Sequence, residues 1–252
     1  MKKTTSILLL STILLSSCLT KIALNSLGVF EKNVAVKFIT NNNKQIVFLP
    51  MHHIGTKDYY KDETKIVDSL LKNGYIIFYE VLKQGSTTNQ LLLDTMFLKF
   101  RRITGIPKNA KDKMSSRIDT VNNILMGKKS KLVNKYNLRN QDVGYFNKYD
   151  SSVVKNVDGT LEEMISMYEK KYGVVLLDQV DFTTKLREPY NHKEEKSKRN
   201  YFLNETRNII IVDAVLKSNA NKIALVYGAA HFDGILKNLQ AEDKNYREVI
   251  KF

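Results

Sequence analysis

The chain has 252 residues, of which 43% are hydrophobic and 26% are charged, and its formal net charge is +14. These proportions are typical of a folded globular protein, and they exclude a collagen-like, low-complexity or strongly disordered chain. Cys18 is the single cysteine, which excludes an internal disulfide framework.

The first 18 residues have the pattern of a secretory signal. Lys2 and Lys3 form a positive region, and the apolar stretch 7–15 is too short to span a bilayer. The following Leu-Ser-Ser-Cys18 resembles a bacterial lipobox, whose cysteine becomes the first mature residue and carries lipid. We therefore expect residues 1–17 to be removed and Cys18 to be acylated, with palmitate among its chains, so that the protein is held at a membrane of the bacterial cell envelope, outside the cytoplasm. An ordinary signal peptide with a chance cysteine is the alternative.

A short tether over 19–33 is expected to precede a single domain over 34–252. Residues 34–49 predict a hairpin of two strands, because asparagines occupy all of 41–43 and favour a turn. The second strand is expected to end at Pro50, which lacks the N–H that a central ladder needs.

The next segments predict a βαβ unit. A helix is expected over 61–73, and a nearly all-apolar strand over 75–80 ends in Glu80. Strand, helix and strand in this order favour parallel pairing. Residues 88–140 then predict a helical insertion, with a break at Gly105-Ile-Pro107.

The second half of the chain continues the alternation of helices and strands. Residues 141–159 are polar and predict irregular structure, and 174–180 fits a strand and a helix equally well. The remaining predicted elements are a helix over 160–171, a helix over 201–218, a buried strand over 223–227 and an edge strand over 246–252. The sequence therefore predicts an α/β fold, with a mixed, largely parallel central sheet flanked by helices and a helical insertion over about 88–140.

Polar side chains recur where predicted strands end. His53 and His231 lie just past strands, and Glu80 closes one. Because the carboxyl ends of parallel strands meet at one edge of a sheet, these three side chains are expected to converge. Two imidazoles and a carboxylate are ligands for a divalent ion such as manganese, cobalt or zinc. The alternative is metal-free chemistry, with a histidine as general base and Glu80 orienting it.

Other residues can complete such a site. Glu80 follows an apolar run, and a buried carboxylate needs a partner. Arg207 is a candidate for that partner, or for binding an anionic group of the substrate, although a solvated helix position would also explain it. His52 and His53 are adjacent on extended backbone and point opposite ways, so only one of them is expected to face the site.

Four stretches, taken in order, carry a resemblance. They are Pro50-Met-His-His-Ile-Gly55, Phe78-Tyr-Glu-Val-Leu82, Arg207-Asn208 and Tyr227-Gly-Ala-Ala-His-Phe-Asp-Gly-Ile235. The set resembles the TraB/PrgY/GumN/TIKI family, of the erythromycin esterase and ChaN-like superfamily, which has two G-x-x-H motifs with a glutamate after the first and an arginine before the second. Gly228-Ala-Ala-His231 matches fully, whereas Pro50 replaces the glycine of the first motif.

The resemblance implies that His53, Glu80 and His231 hold a metal and that Glu80 and Arg207 act in catalysis. The expected function is a lipid-anchored, extracytoplasmic, metal-dependent hydrolase whose substrates are peptides or small molecules. The alternative is a non-catalytic surface protein that binds a peptide, heme or another small ligand in the same cleft.

The positive charge is concentrated in one segment. Residues 99–139 contain twelve Lys or Arg and two Asp. A solvated helical face explains such a run, and contact with anionic lipid headgroups or an acidic partner is the alternative. Nucleic acid is not an expected partner, because no nucleic-acid-binding motif accompanies the charge.

Overall fold

The computed structural model describes residues 22, 24–83, 85–106, 131–185, 188 and 190–251. The predicted signal sequence, Cys18 and most of the basic segment lie outside the described residues. No helix in the described part of the chain is long and apolar enough to cross a membrane.

The described strands are β1 (Lys37–Thr40), β2 (Gln45–Met51), β3 (Ile54–Thr56), β4 (Ile76–Tyr79), β5 (Leu138–Asn140), β6 (Val154–Asn156), β7 (Lys222–Gly228) and β8 (Arg247–Val249). The α-helices are α1 (Lys57–Lys72), α2 (Gln90–Thr104), α3 (Lys131–Lys135), α4 (Leu161–Tyr172), α5 (Gln179–Thr183), α6 (Lys196–Asn200), α7 (Thr206–Lys217) and α8 (Phe232–Glu242). Short 3₁₀ helices span Val143–Lys148 and Ala229–His231, and a π-helical turn spans Tyr201–Glu205.

The chain forms two compact units. Of the described residues, the first unit contains those within Met1–Ala35, Met51–Asp68 and Met114–Asp142, and the second contains those within Val36–Pro50, Ser69–Lys113 and Val143–Phe252. The expectation of a single domain over 34–252 stays a prediction.

The predicted α/β fold is confirmed. A six-stranded, mixed and mostly parallel sheet has the order β6-β4-β7-β2-β1-β8. β1 and β2 form the expected hairpin, with Asn42 in the left-handed conformation at φ 74°. β8 lies at the edge of the sheet, as predicted.

Two expectations about β2 are wrong. The strand runs through Pro50 to Met51. Proline is tolerated on this side of the strand because β1 pairs with β2 only as far as Phe48. No hydrogen bond to β1 therefore requires an N–H at Pro50. In addition, β2 and β4 are not neighbours, because β7 lies between them. β7 is buried from Ile223 to Tyr227, and a strand apolar on both faces belongs in the middle of a parallel sheet.

Other boundaries also differ from the prediction. The polar segment 141–159 contains β6, which was not predicted. The helical insertion is confirmed only in part: α2 ends at Gly105 as expected, α3 is helical, and 138–140 forms β5 instead, paired with β3. The ambiguous segment 174–180 is neither a strand nor one helix. Asp178 is the N-cap of the short α5, which begins at Gln179.

In the second unit, α7 and α8 contribute to a core shared with the sheet. Its buried members include Phe48, Phe78 and Leu225 from strands, with Val215 and Leu239 from the two helices. This packing holds the start of α7 and the 3₁₀ turn Ala229–His231 before α8 in place, and both carry polar residues.

Candidate functional site

Three neighbouring parallel strands end together in the second unit. Tyr79 of β4 is paired with Asn156 of β6 on one side and with Val226 of β7 on the other. The carboxyl ends of the three strands therefore meet, as expected for a ligand site in an α/β sheet. Asp158 follows β6, Glu80 follows β4 and His231 follows β7.

Glu80 continues the ladder by one residue and is held from two sides. Its backbone N–H donates to the Val226 carbonyl at 3.1 Å. Its side chain, only 11% exposed, accepts a hydrogen bond from the Gly228 N–H at Oε2 (2.5 Å) and from Arg207 Nη2 at Oε1 (2.6 Å). The carboxylate is thus fixed at the sheet edge.

Arg207 is shared between two carboxylates. Its Nε and Nη2 donate to the two oxygens of the fully buried Asp158 at 2.9 and 2.5 Å, and Nη2 also donates to Glu80. Asp158 also accepts at Oδ1 from the Gly159 N–H at 2.8 Å. Nη1 is the guanidinium nitrogen without a hydrogen-bond partner among the described residues, and it remains available to a ligand.

His231 is held by Asn208 rather than by Glu80. Its Nδ1 lies 2.7 Å from Asn208 Oδ1, and its Nε2 lies 4.0 Å from Glu80 Oε1. Because a carbonyl oxygen only accepts, Nδ1 carries the proton, and Nε2 keeps its lone pair. His231 and Asn208 are both buried. The arrangement therefore presents a basic nitrogen beside a carboxylate.

The position of Asn208 depends on a glycine in α8. A Cβ atom at Gly234 would lie 2.0 Å from Asn208 Nδ2, a distance that no side chain can occupy. Gly234 thus permits the close approach of α8 to α7 that brings Asn208 to His231.

The electrostatics keep these groups in defined states. Burial alone would raise the pKa of Glu80, but Arg207, His231 and the Gly228 N–H outweigh it, so the pKa is lowered and the carboxylate is ionised. Burial lowers the pKa of His231 from its ordinary value of 6.5. The pKa of Arg207 is raised despite burial, through its hydrogen bond to Asp158 and the charges of Glu80 and Asp158. At neutral pH the site therefore holds a neutral His231 imidazole, an ionised Glu80 carboxylate and the Arg207 guanidinium.

Tyr227 is a further polar group at this edge. It is fully buried in β7, and its hydroxyl has no hydrogen-bond partner among the described residues. Its ring lies 6.3 Å from that of His231. Burial, with the nearby charges of Asp158 and Glu80, raises its pKa far above the ordinary value, so the hydroxyl stays protonated and can donate a hydrogen bond.

The structure brings together three of the four predicted site residues, Glu80, Arg207 and His231. His53 belongs to the first unit, where its side chain is exposed and its carbonyl accepts from the Gln141 N–H at 3.0 Å. His52 is partly buried in that unit, 3.5 Å from Glu31, and its ring lies 4.9 Å from that of Tyr59.

Glu80 and His231 are the predicted metal ligands that lie in the second unit. His231 Nε2 has a free lone pair, and each oxygen of Glu80 accepts one hydrogen bond. In the part of the chain that the structure describes, no three His, Cys, Asp or Glu side chains are grouped to hold a metal ion. The predicted divalent ion stays a prediction.

Sequence reasoning missed Asp158 and the role of Asn208. The only sequence signal for Asp158 is an aspartate just before Gly159, in a stretch that was interpreted as irregular. Asn208 stands beside Arg207, but neighbouring helix positions differ in direction by about 100°, so its contact with His231 was not apparent.

No family model, curated protein or solved structure matches this chain.

Proposed function

We propose that the chain is a lipid-anchored hydrolase of the cell envelope, acting outside the cytoplasm on peptides or small molecules with an amide or ester bond. The observation that supports this most is the neutral His231, with its free Nε2 beside the ionised Glu80 and the guanidinium of Arg207. These are a base, a negative charge and a positive charge held at one sheet edge.

Each residue has a role in this proposal. His231 Nε2 takes a proton from the water that attacks the substrate carbonyl, and Glu80 stabilises the imidazolium that forms. The imidazolium then gives this proton to the leaving amine or alcohol as the C–N or C–O bond breaks. Arg207 Nη1 stabilises the negative charge that develops on the carbonyl oxygen. Asn208 is a positioning residue, because it holds the imidazole in the tautomer with the proton on Nδ1.

The family resemblance adds a divalent ion to this proposal. Glu80 and His231 are its candidate ligands in the second unit, and the remaining predicted ligand, His53, belongs to the first unit. Metal content of the purified protein tests that addition separately. A stoichiometric manganese, cobalt or zinc ion that is lost in His53→Ala and His231→Ala would support it, and a metal-free protein with full activity would remove it.

The activity test uses the mature chain, residues 18–252, with Cys18→Ser so that no lipid is added. It is assayed on panels of fluorogenic peptides and chromogenic esters, with and without chelator. We expect hydrolysis that falls at least 100-fold in His231→Gln, because general-base catalysis typically contributes 10²–10⁴-fold. Asp233→Ala changes an exposed residue two positions away and serves as the matched control.

A second candidate function is ligand binding without turnover. It is favoured by the way the charges are already neutralised: Glu80 uses both oxygens, and Arg207 two of its three nitrogens, within the protein. Peptide, heme or another small ligand would then occupy the same cleft. Retention of a ligand by the wild type, its loss in Glu80→Ala and no product over the whole panel would identify this function.

A further inference from the structure

Exposed apolar side chains are concentrated in one segment of the second unit. Tyr172 is 38% exposed, Val174 69%, Leu176 77% and Phe182 64%. These are four of the thirteen large exposed hydrophobic residues in the described chain, and they fall within eleven residues. We call this segment, which runs from the end of α4 into α5, the 172–182 loop. Single exposed apolar residues are ordinary, but a cluster marks an interaction surface.

The loop is fixed rather than frayed. Val175 is only 8% exposed and packs in a core with residues of α2 and α4, including Phe100 and Tyr168. Its N–H donates to Glu169 Oε1 at 2.9 Å. Val174 and Leu176 flank this buried residue in sequence, and both of their side chains are exposed.

Lysines flank the loop, and its own two charged residues, Asp178 and Asp181, share one arginine. Arg102 Nη1 lies 3.2 Å from Asp178 and 3.4 Å from Asp181, and the neighbouring Glu169 is paired with Lys99 at 2.6 Å. Lys170 and Lys185 are exposed and have no acidic partner among the described residues. The exposed apolar groups are therefore flanked by uncompensated ammonium groups.

We propose that the 172–182 loop is a membrane-contact surface that inserts its apolar side chains among anionic phospholipid headgroups. Exposed aliphatic and aromatic side chains bordered by lysines suit this interface, because the apolar groups enter the acyl boundary while the ammonium groups meet phosphate. The expected lipid on Cys18 would hold the chain at such a surface, and the loop would orient the second unit on it. The proposal is independent of the proposed hydrolase activity.

The test measures binding of the unlipidated mature chain, residues 18–252 with Cys18→Ser, to vesicles. Sedimentation is compared for vesicles of phosphatidylcholine alone and of phosphatidylcholine with phosphatidylglycerol. The loop variant is Val174→Asp with Leu176→Asp. The matched control is Leu91→Asp with Leu92→Asp, which also replaces two exposed apolar residues, 75% and 53% exposed, and makes the same change in net charge. Thermal unfolding confirms that both variants are folded.

We expect the wild type to bind the anionic vesicles, the loop variant to bind them at least fivefold more weakly, and the control to bind within twofold of the wild type. Equal losses in the two variants would overturn the proposal, because net charge alone would then explain binding. Absence of wild-type binding to anionic vesicles would also overturn it, as would a loop that proves to bind a protein partner instead of lipid.

Discussion

At the scale of single residues, the protonation state of His231 depends on two residues that are not themselves bases. Asn208 Oδ1 accepts a hydrogen bond from His231 Nδ1, 2.7 Å away. Because Gly234 has no side chain, it leaves space for Asn208. The tautomer of His231 thus depends on the close approach of α7 and α8.

Gly234→Ala should disturb this contact. The added methyl group would overlap Asn208 Nδ2, so we expect a loss of about 1–3 kcal/mol in the free energy of unfolding, as for other overpacked sites. We also expect at least a tenfold loss of hydrolysis, since His231 loses its acceptor. Urea unfolding and the peptide assay measure the two effects. Asp233→Ala is the control, and an unchanged Gly234→Ala protein would show that Asn208 does not occupy this position.

The lowered pKa of His231 predicts how stability depends on pH. Below the ordinary value of 6.5 the unfolded chain takes up a proton at this histidine, while the folded protein does not. The free energy of unfolding should therefore fall as the pH drops from 6.5 towards the folded pKa. Urea unfolding at pH 7.5 and 5.5 should show a smaller drop for His231→Gln than for the wild type. An equal drop in both proteins would mean that His231 titrates normally.

The sequence alone was sufficient to place the polar residues that directly follow apolar strands. Glu80 closes an apolar run, and Gly228-Ala-Ala-His231 follows a buried strand, so both were predicted at the sheet edge. Asp158 and Asn208 were not assigned, because their roles arise from pairing between segments far apart in the chain. His53 was placed by the same strand-end rule, but it belongs to the first unit, and its role stays a prediction.

At the scale of elements, β6 shows why part of the site was missed. The strand has three residues, Val154–Asn156, and lies in a polar stretch, so no alternating pattern identifies it. Its pairing with β4 nevertheless sets the position of Asp158. By contrast, α4 was predicted from a local signal, the capping box of Thr160 and Glu163, which is formed as expected.

Thr160→Ala should weaken α4 without touching the site residues themselves. Loss of the N-cap is expected to lower the free energy of unfolding by about 1 kcal/mol. Hydrolysis at a temperature where the variant is fully folded should stay within twofold of the wild type. A large loss of activity in a folded variant would mean that the cap also holds Asp158 in place.

At the scale of the whole molecule, the N-terminal pattern predicts attachment to a membrane. The formal charge of +14 and the predicted lipid on Cys18 both favour an anionic membrane surface. Neither a hydrolase nor a binding protein of the cell envelope needs a membrane-spanning helix if this anchor forms.

Cys18→Ser should release the protein from the membrane. In a bacterial host that exports the full-length chain, we expect the wild type to enter the detergent phase of a phase-partition experiment. The variant should move mostly to the aqueous phase, with its signal sequence uncleaved or cleaved elsewhere. If both proteins partition alike, Cys18 is not the lipid attachment site.

The central claim is that His231 is a neutral base, protonated on Nδ1, beside an ionised Glu80. The most direct measurement is the ¹⁵N spectrum of the imidazole rings across a pH titration of the mature chain, with the signal of His231 identified by its absence in His231→Gln. The chain has four histidines, so the spectrum is simple to assign. We predict a proton on Nδ1 and none on Nε2 at pH 6.5, where an ordinary histidine is half protonated. A charged ring at that pH, or a neutral ring with its proton on Nε2, would contradict the account.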